Sequence, residues 1–181
     1  RLRDKLEDNS VIKAFAYPYG EYTDAMAGAV ADMGYAGIGQ QSGALGPDMA
    51  IKALPRYPVA TGFADMDSFT TKLKSRHLPA RPVNNPDRII ENGDRNPPVL
   101  KVHISEGAYN LDRLSCFAGG QGRIQVTRQN DNRFAIQANS ALKPGRVKYN
   151  CTVPAEEGGG IFHWYSYLWL VKKDDNSWRA E

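Results

Sequence analysis

The chain has 181 residues, and its 41% hydrophobic and 24% charged residues are ordinary proportions for a globular protein with a sizeable core. The 23 basic and 20 acidic residues are spread along the whole length and give a net charge of +3, without the basic stripe typical of nucleic-acid binding. The longest apolar run is broken by His163 and Ser166, so no segment approaches the roughly 18 residues of a membrane span. The sequence therefore predicts neither a nucleic-acid partner nor a membrane span.

The start of the chain indicates that it is cut from a longer protein. Residues 1–6 contain neither an initiator methionine nor the apolar core and cleavage site of a signal peptide. We therefore expect an upstream half of the same protein to be a partner of this chain.

The first 80 residues predict alternating strands and helices. Residues 11–16 and 35–40 are typical of strands, the first of them buried, and residues 22–33 and 65–74 are typical of helices. Gly34 supplies the usual stop signal for the first helix. The positions at helical spacing, expected on the buried faces, are Ala25, Met26, Ala29, Val30 and Met33 in the first helix and Met66, Phe69 and Leu73 in the second. This order of elements predicts an α/β unit.

The composition changes near residue 80. Four prolines lie in residues 82–98 among mixed charges, a pattern typical of a linker or an irregular surface loop. We therefore predict one domain over residues 1–80, a linker over 81–98 and a second domain over 99–181.

The sequence pattern of the second domain is typical of an antiparallel β-sandwich or barrel. Its β-branched and aromatic runs are short and separated by Gly, Asn and Pro. Residues 129–133 and 173–177 are typical of hairpin turns, and residues 119–122 of a tight turn. The predicted strands are residues 99–104, 123–128, 134–138, 146–153 and 161–171. The fold class predicted for the whole chain is α/β followed by all-β.

The two cysteines, Cys116 and Cys151, cannot build a zinc site alone, because no histidine lies at ligand spacing from either of them. We predict a disulfide, with two buried thiols as the alternative. A bridge closing a loop of roughly 35 residues would contribute about 3 to 4 kcal/mol in an oxidising compartment.

The sequence contains no metal motif. His77, His103 and His163 are 26 and 60 residues apart in unrelated contexts, so a structural role is expected for each. Asp65 and Asp67 lie at a predicted helix start, where carboxylates favour the positive end of the helix dipole. We interpret them as capping residues.

One junction could carry chemistry. The apolar run that ends in residues 15–17 breaks into Pro18-Tyr19-Gly20 immediately before a helix. Backbone N–H groups at such a place can stabilise an oxyanion, although a plain strand-to-helix turn would have the same sequence.

Residues 15–20 (Phe-Ala-Tyr-Pro-Tyr-Gly), 33–43 (Met-Gly-Tyr-Ala-Gly-Ile-Gly-Gln-Gln-Ser-Gly) and 54–58 (Leu-Pro-Arg-Tyr-Pro) together resemble the late βα units of NodB-like polysaccharide deacetylases, carbohydrate esterase family four. The resemblance covers about residues 1–75. Residues 114–122 and 145–152 resemble a C-terminal extension found on some of these proteins.

The resemblance implies a distorted (β/α) barrel that hydrolyses N-acetyl groups of a polysaccharide in a secreted or periplasmic protein. In this family an Asp and two His hold a divalent metal, commonly zinc, a second Asp is the base and a late His is the acid. The metal and base motifs belong to early strands, which would lie upstream of Arg1. The resemblance therefore implies no metal ligand in this chain.

The family motif Arg-x-Pro-Tyr falls on Ala16, Tyr17, Pro18 and Tyr19. Tyr19 would supply the backbone N–H of the oxyanion hole, whereas Ala16 replaces the arginine that pairs with the base. The late Leu-x-His motif has no counterpart, because His103 has the wrong spacing, and the general acid is not identified.

Active sites of βα barrels gather at the C-terminal ends of strands. Since two predicted strands end just before Pro18 and Gln41, we expect their loops to face one cleft. The expected substrate-binding residues are Tyr17, Pro18, Gly20, Gln41, Ser42 and Arg56.

Two further roles stay open. Trp164, Tyr165, Tyr167, Trp169 and Trp178 could stack on sugars in a carbohydrate-binding module, although alternation along a strand would place half of the aromatic residues of the 162–169 run in a core. A purely structural or interaction role is the other alternative. An exposed aromatic row would favour sugar binding over packing.

Overall fold

A computed structural model describes residues 13–47, 49–60, 62, 64–83, 86–91, 95–173, 175 and 177. Strands dominate the described part of the chain. A small parallel unit at the N-terminal end packs on a large curled sheet formed by the rest.

The N-terminal unit has a strand, a helix and a second strand, as predicted. Strand β1 (Ala14–Ala16) pairs in parallel with β2 (Ala36–Ile38), and helix α1 (Asp24–Asp32) connects them. The segment around Leu54 lies parallel to β2 and pairs with it through a single bridge between Ile38 and Leu54. The parallel strands all end at one edge of the unit.

The helices confirm two predicted signals, the Gly34 stop after α1 and the Asp65 cap before α2, whereas the Thr23 cap of α1 was not predicted. The Thr23 hydroxyl accepts from the Met26 N–H at 3.1 Å at the start of α1, and Gly34, at φ +75°, follows its end. Helix α2 spans Met66–Lys74, and the Asp65 carboxylate accepts from the Ser68 N–H at 2.7 Å. The capping role predicted for Asp65 is confirmed.

The burial predicted for this unit is confirmed at Val30 but wrong at the other predicted positions of β1 and α1. All three residues of Ala14–Ala16 are exposed, and Phe15 keeps 42% of its surface accessible. On α1 the buried residues are Ala27 and Val30, whereas Met26 and Met33 are exposed. The reason is physical: within the described residues no second layer covers this side of β1 and α1.

The apolar face predicted for α2 is likewise exposed. Met66 and Leu73 are 71% and 73% accessible, and Phe69 is 41% accessible. The predicted helix is present, but no element in the described part of the chain packs on its apolar face.

The remaining strands form one sheet of nine strands in the described part of the chain. Its order is β3-β11-β10-β7-β8-β9-β6-β4, and β5 adds to β11 in parallel. The strands are β3 (Arg76–His77), β4 (Ala80–Pro82), β5 (Ile89–Ile90), β6 (Val99–Ile104), β7 (Ser115–Ala118), β8 (Gly122–Asn130), β9 (Arg133–Gln137), β10 (Gly145–Pro154) and β11 (Phe162–Val171). Because β3 and β4 lie at opposite ends of this order but only two residues apart in sequence, the sheet curls into a half-barrel.

All five strands predicted after residue 99 are present, with bounds shifted by at most two residues. The turns predicted at residues 119–122 and 129–133 join β7 to β8 and β8 to β9. In residues 173–177, of which 174 and 176 lie outside the described residues, the Lys173 N–H donates to the Ser177 carbonyl at 2.9 Å. No described strand follows this turn.

The segment predicted as a linker takes part in the sheet. It contributes β5 and most of β4, and Ile90 is buried. The Tyr167 hydroxyl donates to the Pro86 carbonyl at 2.8 Å. Strands of two or three residues are too short to give a periodic sequence signal, which is why they were not predicted.

The predicted disulfide is present inside the main core. Cys116 on β7 and Cys151 on β10 lie directly opposite each other in the antiparallel pair and are bridged. Both are almost fully buried. The bridge ties two neighbouring strands at the centre of the sheet.

Strand β11 joins the two units because both of its faces are apolar. Tyr167 and Trp169 point into the main core, whereas Leu168 and Leu170 pack with the buried residues of the N-terminal unit. The Arg88 guanidinium lies 4.3 Å from the centre of the Tyr167 ring on β11 and makes a similar cation–π contact with the Tyr22 ring of the N-terminal unit. These contacts fix the N-terminal unit against β11 of the large sheet.

We expect the fold to lose stability above pH 10 through Tyr149. Its buried hydroxyl accepts from the Ala138 N–H at 3.1 Å and donates to the Pro98 carbonyl at 3.0 Å, and burial raises the pKa to about 12. Since the folded pKa lies above the unfolded value, the stabilisation is complete below about pH 10 and is lost as the pH rises towards 12.

Denaturant unfolding of the wild type and of Tyr149→Phe between pH 8 and roughly pH 11 tests this. The variant should be about 1–3 kcal/mol less stable at pH 8, because two buried backbone groups lose a partner, and should depend less on pH above 10. Equal pH dependence in both proteins would contradict the assignment.

Candidate functional site

The turn after β1 has an unusual backbone. Pro18–Gly20 form a short 3₁₀ turn in which the Gly20 N–H donates to the Tyr17 carbonyl at 2.8 Å. Tyr19 lies in the left-handed region, at φ +53° and ψ 8°, the one non-glycine residue with positive φ in the described part of the chain. This conformation costs an L-residue roughly 1–2 kcal/mol.

The loops after β1 and β2 touch each other. Gly20 has φ +71°, and a Cβ at this position would lie 2.5 Å from Cβ and 2.7 Å from the backbone nitrogen of Gln40. Only glycine fits here without moving one of the loops.

Arg146 on β10 holds these loops from the other unit. Its guanidinium donates to the Tyr19 carbonyl and to Gln40 Oε1 at 3.4 Å, pairs with Glu21 at 3.3 Å, and lies 5.6 Å from the Tyr19 ring. Sequence reasoning missed Arg146, since it is 127 residues from Tyr19 and no local pattern links the two.

Tyr17 was predicted to bind substrate, but its side chain packs the N-terminal unit. It is 2% exposed, its hydroxyl donates to the Lys52 carbonyl at 2.7 Å, and its ring stacks on Tyr22 with centres 4.6 Å apart. Pro18 and Tyr19, in contrast, lie on the surface.

Gln41 and Ser42 line a cavity of about 550 Å³ between the N-terminal unit and β11. The Ser42 carbonyl accepts from the Ser166 hydroxyl, and Gln41 Nε2 donates to the Ala53 carbonyl at 2.9 Å. Because that carbonyl can only accept, the amide orientation is fixed, and Gln41 Oε1 is buried without a hydrogen-bond partner among the described residues. Other lining residues are Tyr22, His77, Arg81, Arg88, Trp164 and Tyr167.

Arg56 lines a different cavity, of about 340 Å³, with Gln40, Tyr57 and Lys148. Lys148 Nζ donates to the Gln40 carbonyl at 3.1 Å. Burial, and then the nearby charge of Arg146, lower the pKa of Lys148. The structure therefore brings the predicted loops together but divides their side chains between two cavities.

The histidines do not form a metal site within the described ranges, where no three His, Cys, Asp or Glu side chains converge. The buried His163 ring is held by a hydrogen bond of 2.9 Å from Nδ1 to the His77 carbonyl and packs against Tyr109. His103 is exposed on β6. The described residues do not fit a zinc ion.

The aromatic run on β11 is not an exposed platform. Tyr167 and Trp169 are buried in the core, and Trp164 and Tyr165 are half-buried. Trp178 lies outside the described residues. The predicted division of this run between core and opposite face is confirmed.

No helix in the described ranges is long and apolar enough to cross a membrane. No protein-family model matches the chain, and no curated protein matches it. Among the described residues, the turn at Tyr19 and the two cavities lined by the loop after β2 are the features that point to a function.

Proposed function

We propose that this chain is the C-terminal portion of a secreted or periplasmic polysaccharide deacetylase, which removes N-acetyl groups from an amino-sugar polymer. The residues up to the end of α2 would supply the last strand–helix units of a distorted (β/α) barrel, and the curled sheet that follows would form the C-terminal β domain. The observation that carries this proposal is the left-handed Tyr19 in a turn that directly follows a parallel strand.

Left-handed non-glycine residues persist only where their surroundings hold them, and they cluster at functional sites. Here Arg146 and the Gln40 loop hold Tyr19. The turn also lies at the C-terminal ends of parallel strands, where βα barrels keep their active sites. In the proposed enzyme the Tyr19 backbone N–H faces the developing oxyanion, with Pro18 and Gly20 shaping the turn.

The exposed apolar surfaces support a larger barrel. β1 pairs only with β2 in the described part of the chain, so its other edge and the exposed Phe15 would accept a preceding strand. Met26 and Met33 on α1 offer apolar contacts to a preceding helix. The proposed occupant of these surfaces is the upstream half of the same barrel.

In the proposed enzyme the upstream half and this chain have different roles, which follow from the residue types that each contains. A zinc ion held by the upstream half would supply an activated water. No three His, Cys, Asp or Glu side chains converge among the described residues, and the part proposed for them is to position the turn through Arg146 and to bind the polymer beside it. The disulfide supports export, since such bonds persist in oxidising compartments.

The purified 181-residue chain should release no acetate from N-acetylglucosamine oligomers, with or without added zinc. The coding sequence upstream of Arg1 should in turn encode a signal peptide, an Asp-Asp pair and a His-x-x-x-His motif. Metal-dependent acetate release by the chain alone, or an upstream frame without these motifs, would refute the proposal.

Carbohydrate binding without catalysis is the second candidate. The cavity of about 550 Å³ has the size of a small-ligand site and combines Trp164 with the polar Gln41 and Arg81. Binding of N-acetylglucosamine oligomers by the chain, together with no acetate release by the longer protein, would favour this candidate.

A further inference from the structure

We propose that the cavity of about 340 Å³ lined by Gln40, Arg56, Tyr57, Pro58, Val59 and Lys148 binds the acidic group of a negatively charged polysaccharide. The acidic group would be a carboxylate or sulfate carried on a sugar ring. The place of this cavity at a deacetylase active site rests on the proposed function, whereas the binding of the anion does not.

The cavity is lined by cations without acids. Arg56 and Lys148 are its charged lining residues, and no carboxylate lies within ion-pair distance of either among the described residues. Arg146 adds a third positive charge next to Lys148, and of these three only Arg146 has an acidic partner in the described part of the chain, Glu21. The local charge is therefore positive and complementary to an anion.

Lys148 is the central group of this site. It is half-buried, its ammonium donates to the Gln40 carbonyl, and that single bond leaves two of its three donors for a ligand. The lowered pKa reflects the cost of holding this charge away from water beside Arg146. A bound oxyanion would offset that cost and form charge-assisted hydrogen bonds.

Tyr57 makes the cavity suitable for a sugar and not only for a small ion. Its ring is fixed by an edge contact with Trp164, with centres 5.2 Å apart, and by a hydrogen bond of 2.7 Å between its hydroxyl and Ser75. A fixed aromatic ring beside two cations can pack on an apolar sugar face while the cations bind the acidic group.

The cavity lies beside the Tyr19 turn. Gln40 follows β2 and touches Gly20, and Arg56 follows the segment that bridges to β2. Lys148 comes from β10 in the large sheet. The β-rich part of the chain therefore supplies a cation to the strand ends where the proposed deacetylase would act, and the substrate would carry acidic groups near its N-acetyl groups.

The binding of oligogalacturonate and of neutral N-acetylglucosamine oligomers of the same length to the 181-residue chain, measured by calorimetry, tests this inference. The acidic oligomer should bind at least about tenfold more tightly, and Lys148→Gln and Arg56→Gln should each lower its affinity about tenfold. Lys101→Gln, which removes an exposed cation from β6, is the matched control and should bind like the wild type.

Circular dichroism must show that Lys148→Gln is folded. If that variant does not fold, the affinity of Arg56→Gln, which changes an exposed position, tests the inference instead. Equal affinity for acidic and neutral oligomers, or an acidic preference that survives in both folded variants, would overturn the inference. Inorganic phosphate binding as tightly as the oligomer would overturn the polysaccharide assignment. Lysine-dependent binding combined with no acetate release by the longer protein would refute the proposed function alone.

Discussion

If the chain belongs to the proposed deacetylase, Gly20→Val in the full-length protein is expected to lower kcat about 100-fold, the loss typical of removing an oxyanion-hole donor. At φ +71° a valine is strained, and its Cβ would lie 2.5 Å from Cβ of Gln40. The turn must therefore shift, and the Tyr19 N–H shifts with it. Acetate release under saturating substrate measures the effect.

Two variants separate this effect from a general loss of stability. Gly34→Val introduces the same kind of strain at φ +75°, but an added Cβ there meets only Lys13 Nζ, at 3.8 Å, so kcat should stay near the wild-type value. Tyr19→Phe keeps the backbone and the ring that faces Arg146 and should also retain most activity. Normal turnover of Gly20→Val would contradict the assignment of Tyr19 to the active site. An equal loss of kcat in Gly34→Val would show that the loss in Gly20→Val is caused by lower stability of the fold.

Loss of the Cys116–Cys151 bridge is expected to lower the free energy of unfolding by about 3–4 kcal/mol. The bridge spans 35 residues, and closing a loop of this length restricts the unfolded chain by about that amount. Both cysteines are buried between β7 and β10, so the centre of the curled sheet depends on them. Denaturant unfolding of a Cys116→Ala, Cys151→Ala double variant measures the difference.

The reduced wild type is the matched control, and it should lose nearly as much stability as the double variant, because both lack the same crosslink. Thiol titration of the unreduced, denatured protein should find no reactive thiol. Two reactive thiols, or a stability change below about 1 kcal/mol, would contradict the structural role of the bridge.

The large sheet was predictable where strands are long and turns have clear chemistry. The strand Val99–Ile104 alternates buried and exposed residues and was predicted with its observed bounds. The two-residue strands β3 and β5 were not, because they exist only through pairing with β11. Burial was predicted wrongly for the apolar face of α2 and for all predicted positions of α1 except Val30. Periodicity indicates which residues share a face but not whether a partner covers it.

The candidate site was predictable only in its local part. The Pro18-Tyr19-Gly20 turn was predicted from its local sequence, because proline and glycine break the apolar run before a helix. Arg146 and Lys148 were missed because curling of the sheet brings β10 to these loops, over separations of 127 and 108 residues. Long-range pairing of this kind leaves no trace in a single sequence.

The most direct test of the central claim is acetate release from N-acetylglucosamine oligomers by the polypeptide that extends this chain upstream, with and without a chelator. The proposed deacetylase should release acetate, lose this activity in the chelator and regain it when zinc is restored. No acetate release by the folded, metal-loaded polypeptide would contradict the claim.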